Sequence, residues 1–234
     1  MSLQNLANSE PPPHSPGAER ALLEEGARYA LQQRLTPVLQ HQIMGTFQSV
    51  NMITVMMERR LQSASPDLKN LRQDCGLLGS VSESAVKSII DLLTWVRPKP
   101  AATQRFDAGV EECASLLANE FKLNGFVIAN EVAQIDTQVS SRALRSVVSA
   151  ALVTLSDLSS APATLTLRAV AFSDRIELSI ALSTHDDPST KTVPANGYRL
   201  LNWRDVELIA GAESVGLAHS DSGVRLTFPL PPEK

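Results

Sequence analysis

Apolar residues recur at helical spacing from Glu19 onward for roughly 40 residues, longer than a typical globular helix. At about 100° per residue, Leu35, Leu39, Ile43, Thr46, Val50, Ile53, Met57 and Leu61 fall in one sector roughly 80° wide. That sector predicts a core-facing stripe. Met44, Met52 and Val55 make a second apolar set on the far side. A helix that is apolar on two sides must bury both, which predicts packing against a hairpin partner and against a second subunit. Pro37 predicts a kink, or a boundary between a lead-in helix and the main one.

Ser63-Ala64-Ser65-Pro66-Asp67 predicts a turn, with Ser65 as N-cap and Pro66 at the first helical position. A second helix is expected over 67–96, with Leu68, Leu71, Cys75, Leu78, Val81, Ala85, Ile89, Leu92 and Val96 inward. Two long helices joined by a short turn predict an antiparallel hairpin over 19–97. Residues 1–18, with Pro11-Pro12-Pro13-His14-Ser15-Pro16-Gly17, lack periodicity and are expected to form a disordered leader. Arg97-Pro98-Lys99-Pro100 ends the hairpin, and 98–104 is expected to be a linker.

From 105 to 234 the texture changes to mixed α and β. Helices are expected over 107–122, 142–158 and 198–210, and strands over 126–132, 164–171, 175–182, 213–219 and 224–230. The order α, β, α, β, β, α, β, β predicts an α/β sandwich with helices on one face of a mixed sheet. The whole chain is therefore expected to be α+β, with an N-terminal antiparallel helical hairpin that becomes a four-helix bundle as a dimer.

Composition narrows the chemistry. A net charge of -4 without long basic runs gives no footprint for nucleic acid. The uncharged stretch from Leu35 to Met57 is long enough to span a bilayer, but Gln40, His41, Gln42, Gln48, Ser49 and Asn51 argue for a buried bundle helix instead. Cys75 and Cys113 lack metal-ligand or disulfide spacing and are expected to be reduced, partly buried and cytoplasmic. His185 and His219 have no ligand-spaced neighbours, and the methionines are expected to be adaptable packing residues. Trp95 and Trp203 are expected to pack at helix ends, and Arg34, Arg59 and Arg60 to be solvated, the first near a docked partner.

A histidine on the first helix of a hairpin, followed by this α/β order, resembles the dimerisation and ATP-binding core of two-component sensor histidine kinases. The segment from His41 to Met52 (HQIMGTFQSVNM) resembles the phospho-acceptor box, with Gln42 where that family usually has Asp or Glu. Ser84 to Leu93 is similar to the second helix, and Gly197 to Leu201, Ala210-Gly211-Ala212 and Leu226 to Leu230 to the closing helix and hairpin. The resemblance covers roughly residues 30–230 and implies His41 as phospho-acceptor, with Gln42 able to orient its imidazole.

The departures all remove nucleotide contacts. The two asparagine positions implied for magnesium binding fall on Ala150 and Thr154, and neither offers a carboxamide oxygen. No Asp-x-Gly triplet occurs near Ser183-Thr184-His185-Asp186. The later Gly-x-Gly is reduced to Gly197-Tyr198-Arg199, with the second glycine lost. The resemblance then implies a kinase-like histidine phosphotransferase without productive ATP binding. It would need no resident cofactor, the Mg²⁺ belonging to the response-regulator receiver domains that are its partners. Its dimer would form through the hairpin, with no membrane or nucleic-acid partner. A non-catalytic dimer that sequesters a regulator or kinase, with His41 an ordinary bundle histidine, and an atypical active kinase are the alternatives.

Overall fold

The computed structural model describes residues 16–63, 65–96, 101–184 and 199–230. Helix α1 spans Pro16–Leu61 and α2 spans Leu68–Val96. They form the expected antiparallel hairpin, with Ile53, Leu71 and Ala85 buried between them. Near the turn, Arg60 meets Asp74 at 2.6 Å. The α2 N-terminus departs from expectation, because Asp67 and not Ser65 caps it. Its Oδ1 accepts from the backbone N–H groups of Lys69 (2.9 Å) and Asn70 (3.2 Å). A carboxylate there also complements the positive end of the helix dipole.

Three further expectations for this region are corrected. Residues 16–18, assigned to the leader, are already helical, with Pro16 at the first position where its missing N–H costs nothing. Pro37 does not divide α1, which runs as one 46-residue helix. Nor does α1 belong to the hairpin alone. Ala27, Ala30, Leu31, Leu35, Val38 and Leu39 are buried in one cluster with the core of the following domain.

Strand β1 (Thr103–Arg105) occupies the end of the expected 98–104 linker and pairs antiparallel with β3 (Gln138–Ser140). This small two-stranded sheet has no period-two apolar signal, and the sequence reading lacks it. Helix α3 covers Phe106–Leu123, and Gly125, at φ +81°, turns the chain into β2 (Val127–Asn130). The next helix is composite: α4 (Ser141–Ala143), a π-helical turn (Leu144–Val148) and α5 (Ser149–Leu158). Then follow β4 (Ala163–Ala171), β5 (Arg175–Thr184), α6 (Trp203–Ala212), β6 (Gly216–Ser220) and β7 (Gly223–Pro229).

The main sheet has the order β2-β4-β5-β7-β6, with only β2 and β4 parallel. Its inner face alternates as period two requires. Leu167 lies opposite Ile180, Leu178 opposite Leu226, and Ile176 opposite Phe228. All six side chains are buried, and Phe106 of α3 meets Phe228 edge-on at 5.4 Å. Arg168, Ser179 and Arg225 turn to the opposite, exposed face. The result is the expected α+β sandwich.

Helix α6 is closed by a reciprocal cap. Asn202 accepts from the Asp205 N–H, and Asp205 accepts from the Asn202 N–H. Arg199 grips the same carboxylate with bonds of 2.6 and 2.7 Å. Burial works against the Asp205 charge, but the Arg199 hydrogen bonds and the cap N–H prevail and hold its carboxyl below the ordinary value.

Candidate functional site

His41 lies on α1 four residues after Pro37, and its side chain is exposed. No hydrogen bond to its imidazole is found among the described residues. Successive helical residues point about 100° apart, and Gln42 accordingly turns elsewhere. It is half-buried and lines a cleft of about 550 Å³ with Thr46, Ser88, Asp91, Trp95 and Glu112. The implied orienting bond from Gln42 to His41 is therefore not made in this conformation. The cleft lies between the hairpin and α3, so a residue from each half of the molecule meets there.

Around His41 the far-side apolar set remains uncovered. Met44 is 67% exposed and Met52 65%, with Phe47 and Val55 also open. The main stripe is mostly turned inward: Leu35, Leu39 and Ile53 are buried and Ile43, Thr46 and Val50 half-buried. Leu61, at the end, is exposed.

Ala150 and Thr154 are fully buried on α5 and do not open onto this cleft. Thr154 Oγ1 is buried without a hydrogen-bond partner among the described residues. A methyl and an enclosed hydroxyl do not fit a phosphate-bound Mg²⁺, which keeps waters and takes carboxylate or carboxamide oxygens. Gly197, His185 and the Asp186-Asp187-Pro188 stretch lie outside the described residues.

The structure adds a buried ion pair that the sequence reading lacks. Arg34, expected to be solvated, is only 4% exposed and bonds Asp157 of α5 at 2.7 Å. Asp157 also accepts from the Leu201 N–H at 3.4 Å. Nearby Glu120 has its carboxyl pushed up by burial, with the Arg34 charge pulling down and the Asp157 charge pushing up. A heptad-like apolar stripe carries no mark of which arginine will be enclosed, because the enclosing residues come more than a hundred positions later.

A second cluster joins α1 to α4 and α6. Arg28 and Arg142 share the Glu213 carboxylate, at 2.6 and 2.8 Å. Arg145, in the π-helical turn, bonds Glu112 at 2.7 Å and Thr94 at 2.6 Å, and its guanidinium lies over the Trp95 ring at 5.2 Å. Trp95 also donates to Glu112 at 3.1 Å. Trp95 and Trp203 both stand at helix ends, as expected, and Trp203 stacks on His219 at 4.4 Å. Cys113 is fully buried, and burial pushes its thiol up to about 12. Cys75, expected to be partly buried, is exposed.

No protein-family model matches the chain, and no curated protein matches it. Solved structures give partial likenesses. The histidine kinase AdeS of Acinetobacter baumannii is 16% identical, with 77% of this chain and 96% of that one covered, at a TM-score of 0.42. A histidine kinase of Burkholderia phymatum is 14% identical, covering 90% and 96%, at 0.42. The histidine kinase ThkA, solved in complex with the response regulator protein TrrA, is 14% identical, covering 91% and 67%, at 0.39. All three are histidine kinases. Among the described residues no helix is long and apolar enough to cross a membrane, and no three His, Cys, Asp or Glu side chains cluster as a metal site.

Proposed function

We propose that the chain is a histidine phosphotransfer protein of a two-component phosphorelay, acting through His41 on response-regulator receiver domains. The observation that carries this reading is the exposed imidazole of His41 on the hairpin, at the position where the sequence resembles a phospho-acceptor box. An imidazole nitrogen attacks the phosphorus of a receiver's aspartyl phosphate, the P–O bond to aspartate breaks, and the aspartate leaves as a carboxylate. The imidazole N–H proton passes to solvent. The reverse steps deliver the phosphoryl group to a second receiver. The Mg²⁺ that neutralises the phosphoryl oxygens belongs to the receiver.

The buried Ala150 and Thr154 support a phosphate that comes from another protein and not from ATP. The exposed Met44, Phe47 and Met52 face supports a homodimer through the hairpin, since contiguous apolar surface of this kind marks an interaction site. Incubation with labelled ATP and, separately, with a labelled phospho-receiver tests the reading. Label should reach His41 from the receiver only, and His41→Ala should abolish transfer while leaving the dimer intact. Transfer that persists in His41→Ala would refute the site. A second reading, a dimer that binds a receiver without transfer, is favoured because no described residue hydrogen-bonds the imidazole to orient it. It predicts a receiver complex with no label from either source.

A further inference from the structure

Between the first half of α1 and the π-helical turn lies a cavity of about 370 Å³, separate from the cleft beside Gln42 except that Trp95 borders both. Its polar wall is formed by Arg28, Arg142 and Arg145, with Gln32 and Ser146. Its apolar wall is formed by Leu31, Leu35 and Leu39 of α1, with Trp95 at the end of α2. Among the described residues no carboxylate lines it. Glu213 and Glu112, which pair with these arginines, are outside the lining.

A guanidinium has five N–H donors in a planar fork and no acceptor. Arg142 spends its Nε on Glu213, and its two Nη groups have no hydrogen bond among the described residues. Arg28 uses Nε on Glu24 and Nη2 on Glu213, which leaves Nη1 in the same state. The wall is therefore rich in donors and poor in acceptors, beside a surface of leucine and indole. The π-helical turn shapes it. One extra residue in the turn re-aims the side chains, and Arg145 and Ser146 border the cavity from that stretch, with Arg142 just before it on α4. Such a bulge costs regular hydrogen bonding, and it recurs where a helix wall serves a ligand. The volume is within the range of small-molecule sites, as is a mostly apolar lining with a few convergent polar groups.

We propose that this cavity binds a small organic anion, its carboxylate or phosphate head held by the open donors of Arg28 and Arg142 beside the Arg145 charge and its apolar body lying on Leu35, Leu39 and Trp95. The three arginines are balanced by Glu24, Glu112 and Glu213, so recognition comes from directed N–H donors and not from excess charge. Because α1, α2 and the π-helical turn all contribute, an occupant bridges the hairpin and the sandwich domain. The site is independent of the phosphotransfer reading, since His41 does not line it.

Calorimetric titration of the full chain with 2-naphthoate tests the proposal, with 2-naphthol and inorganic phosphate as neutral and headgroup-only probes. Saturable binding of one naphthoate per chain is expected, with both other probes at least roughly tenfold weaker, as the loss of charge-assisted hydrogen bonds or of apolar burial requires. Arg142→Gln should weaken naphthoate by roughly tenfold, and Ser146→Trp or Gln32→Trp should abolish binding by filling the cavity. His41→Ala should bind as the unaltered chain does. No saturable heat, naphthol or phosphate binding as tightly, or unchanged affinity in Arg142→Gln would overturn the proposal. Circular dichroism checks that each variant is folded. Should both tryptophan variants unfold, the half-exposed Arg142→Gln decides.

Discussion

Replacing Arg34 by methionine tests how the first half of α1 is held. The guanidinium and the Asp157 carboxylate are 4% and 2% exposed, so neither charge has water to fall back on. Their bond at 2.7 Å is charge-assisted, and such bonds contribute about 1.5–3 kcal/mol. Arg34→Met removes it and leaves an enclosed carboxylate, whose cost is about 3–5 kcal/mol. The methionine keeps most of the buried stem, so little of the loss comes from packing. Arg34 Nε and Nη1 are themselves buried without partners among the described residues, which lowers the net worth of the native pair. Arg34→Met combined with Asp157→Leu should therefore return to within about 1 kcal/mol of the unaltered chain. Glu120 supplies the pH dependence. Its carboxyl is already raised by burial, and losing Arg34 removes a charge that pulls it down. A carboxyl raised in the folded state costs stability above its folded pKa, and the cost disappears as pH falls through that value. The deficit of Arg34→Met should accordingly shrink as pH falls through the raised folded value of Glu120 toward its ordinary one. Urea unfolding followed by circular dichroism, at one fixed protein concentration, measures all of this. A single-variant loss below about 1 kcal/mol, or a double variant as unstable as the single, would refute the reasoning.

Three further outcomes are expected. Ellman's reagent at pH 8 should label Cys75 at once and Cys113 only on unfolding, because burial holds the Cys113 thiol near 12 while Cys75 is exposed; two fast thiols would contradict this. The Asp205 carboxyl is depressed in the folded state, so its contribution is present above the unfolded value of 3.8 and is lost as pH falls through the lower folded value; Asp205→Asn should remove that part of the acid unfolding profile and cost about 1 kcal/mol at pH 7. Gly223→Ala should cost about 1–3 kcal/mol in thermal or urea unfolding, since its new Cβ would collide with the Ile180 carbonyl oxygen across the β5–β7 ladder.

The hairpin and the strands of the main sheet were legible because each carries its period in consecutive residues. Leu165, Leu167, Ile176, Leu178 and Ile180 alternate, and Ile53 and Leu71 fall on their helical stripes. Features made by distant residues were not legible. The β1–β3 pair joins three-residue strands more than thirty positions apart. Nothing near Arg34 announces Asp157, and α1 is half hairpin and half domain because its partners α3, α5 and α6 come much later. The Ser65 cap was a plausible sequence signal overruled by Asp67, two residues on, whose carboxylate reaches two N–H groups. For the candidate site, the residues that the sequence singles out stand apart in the structure, His41 exposed on α1 and Ala150 and Thr154 buried on α5. The geometry adds that Gln42 faces the interdomain cleft.

Helix α1 is also a mechanical element. Its 46 residues make a rod about 70 Å long, clamped at Arg34 to one body and carrying His41 on the other. Pro37 stands between the two, and its missing N–H leaves the Gln33 carbonyl without the usual rung of the ladder. Bending is least costly there. A tilt taken up at Pro37, one turn before the imidazole, would change the direction His41 faces relative to the sandwich.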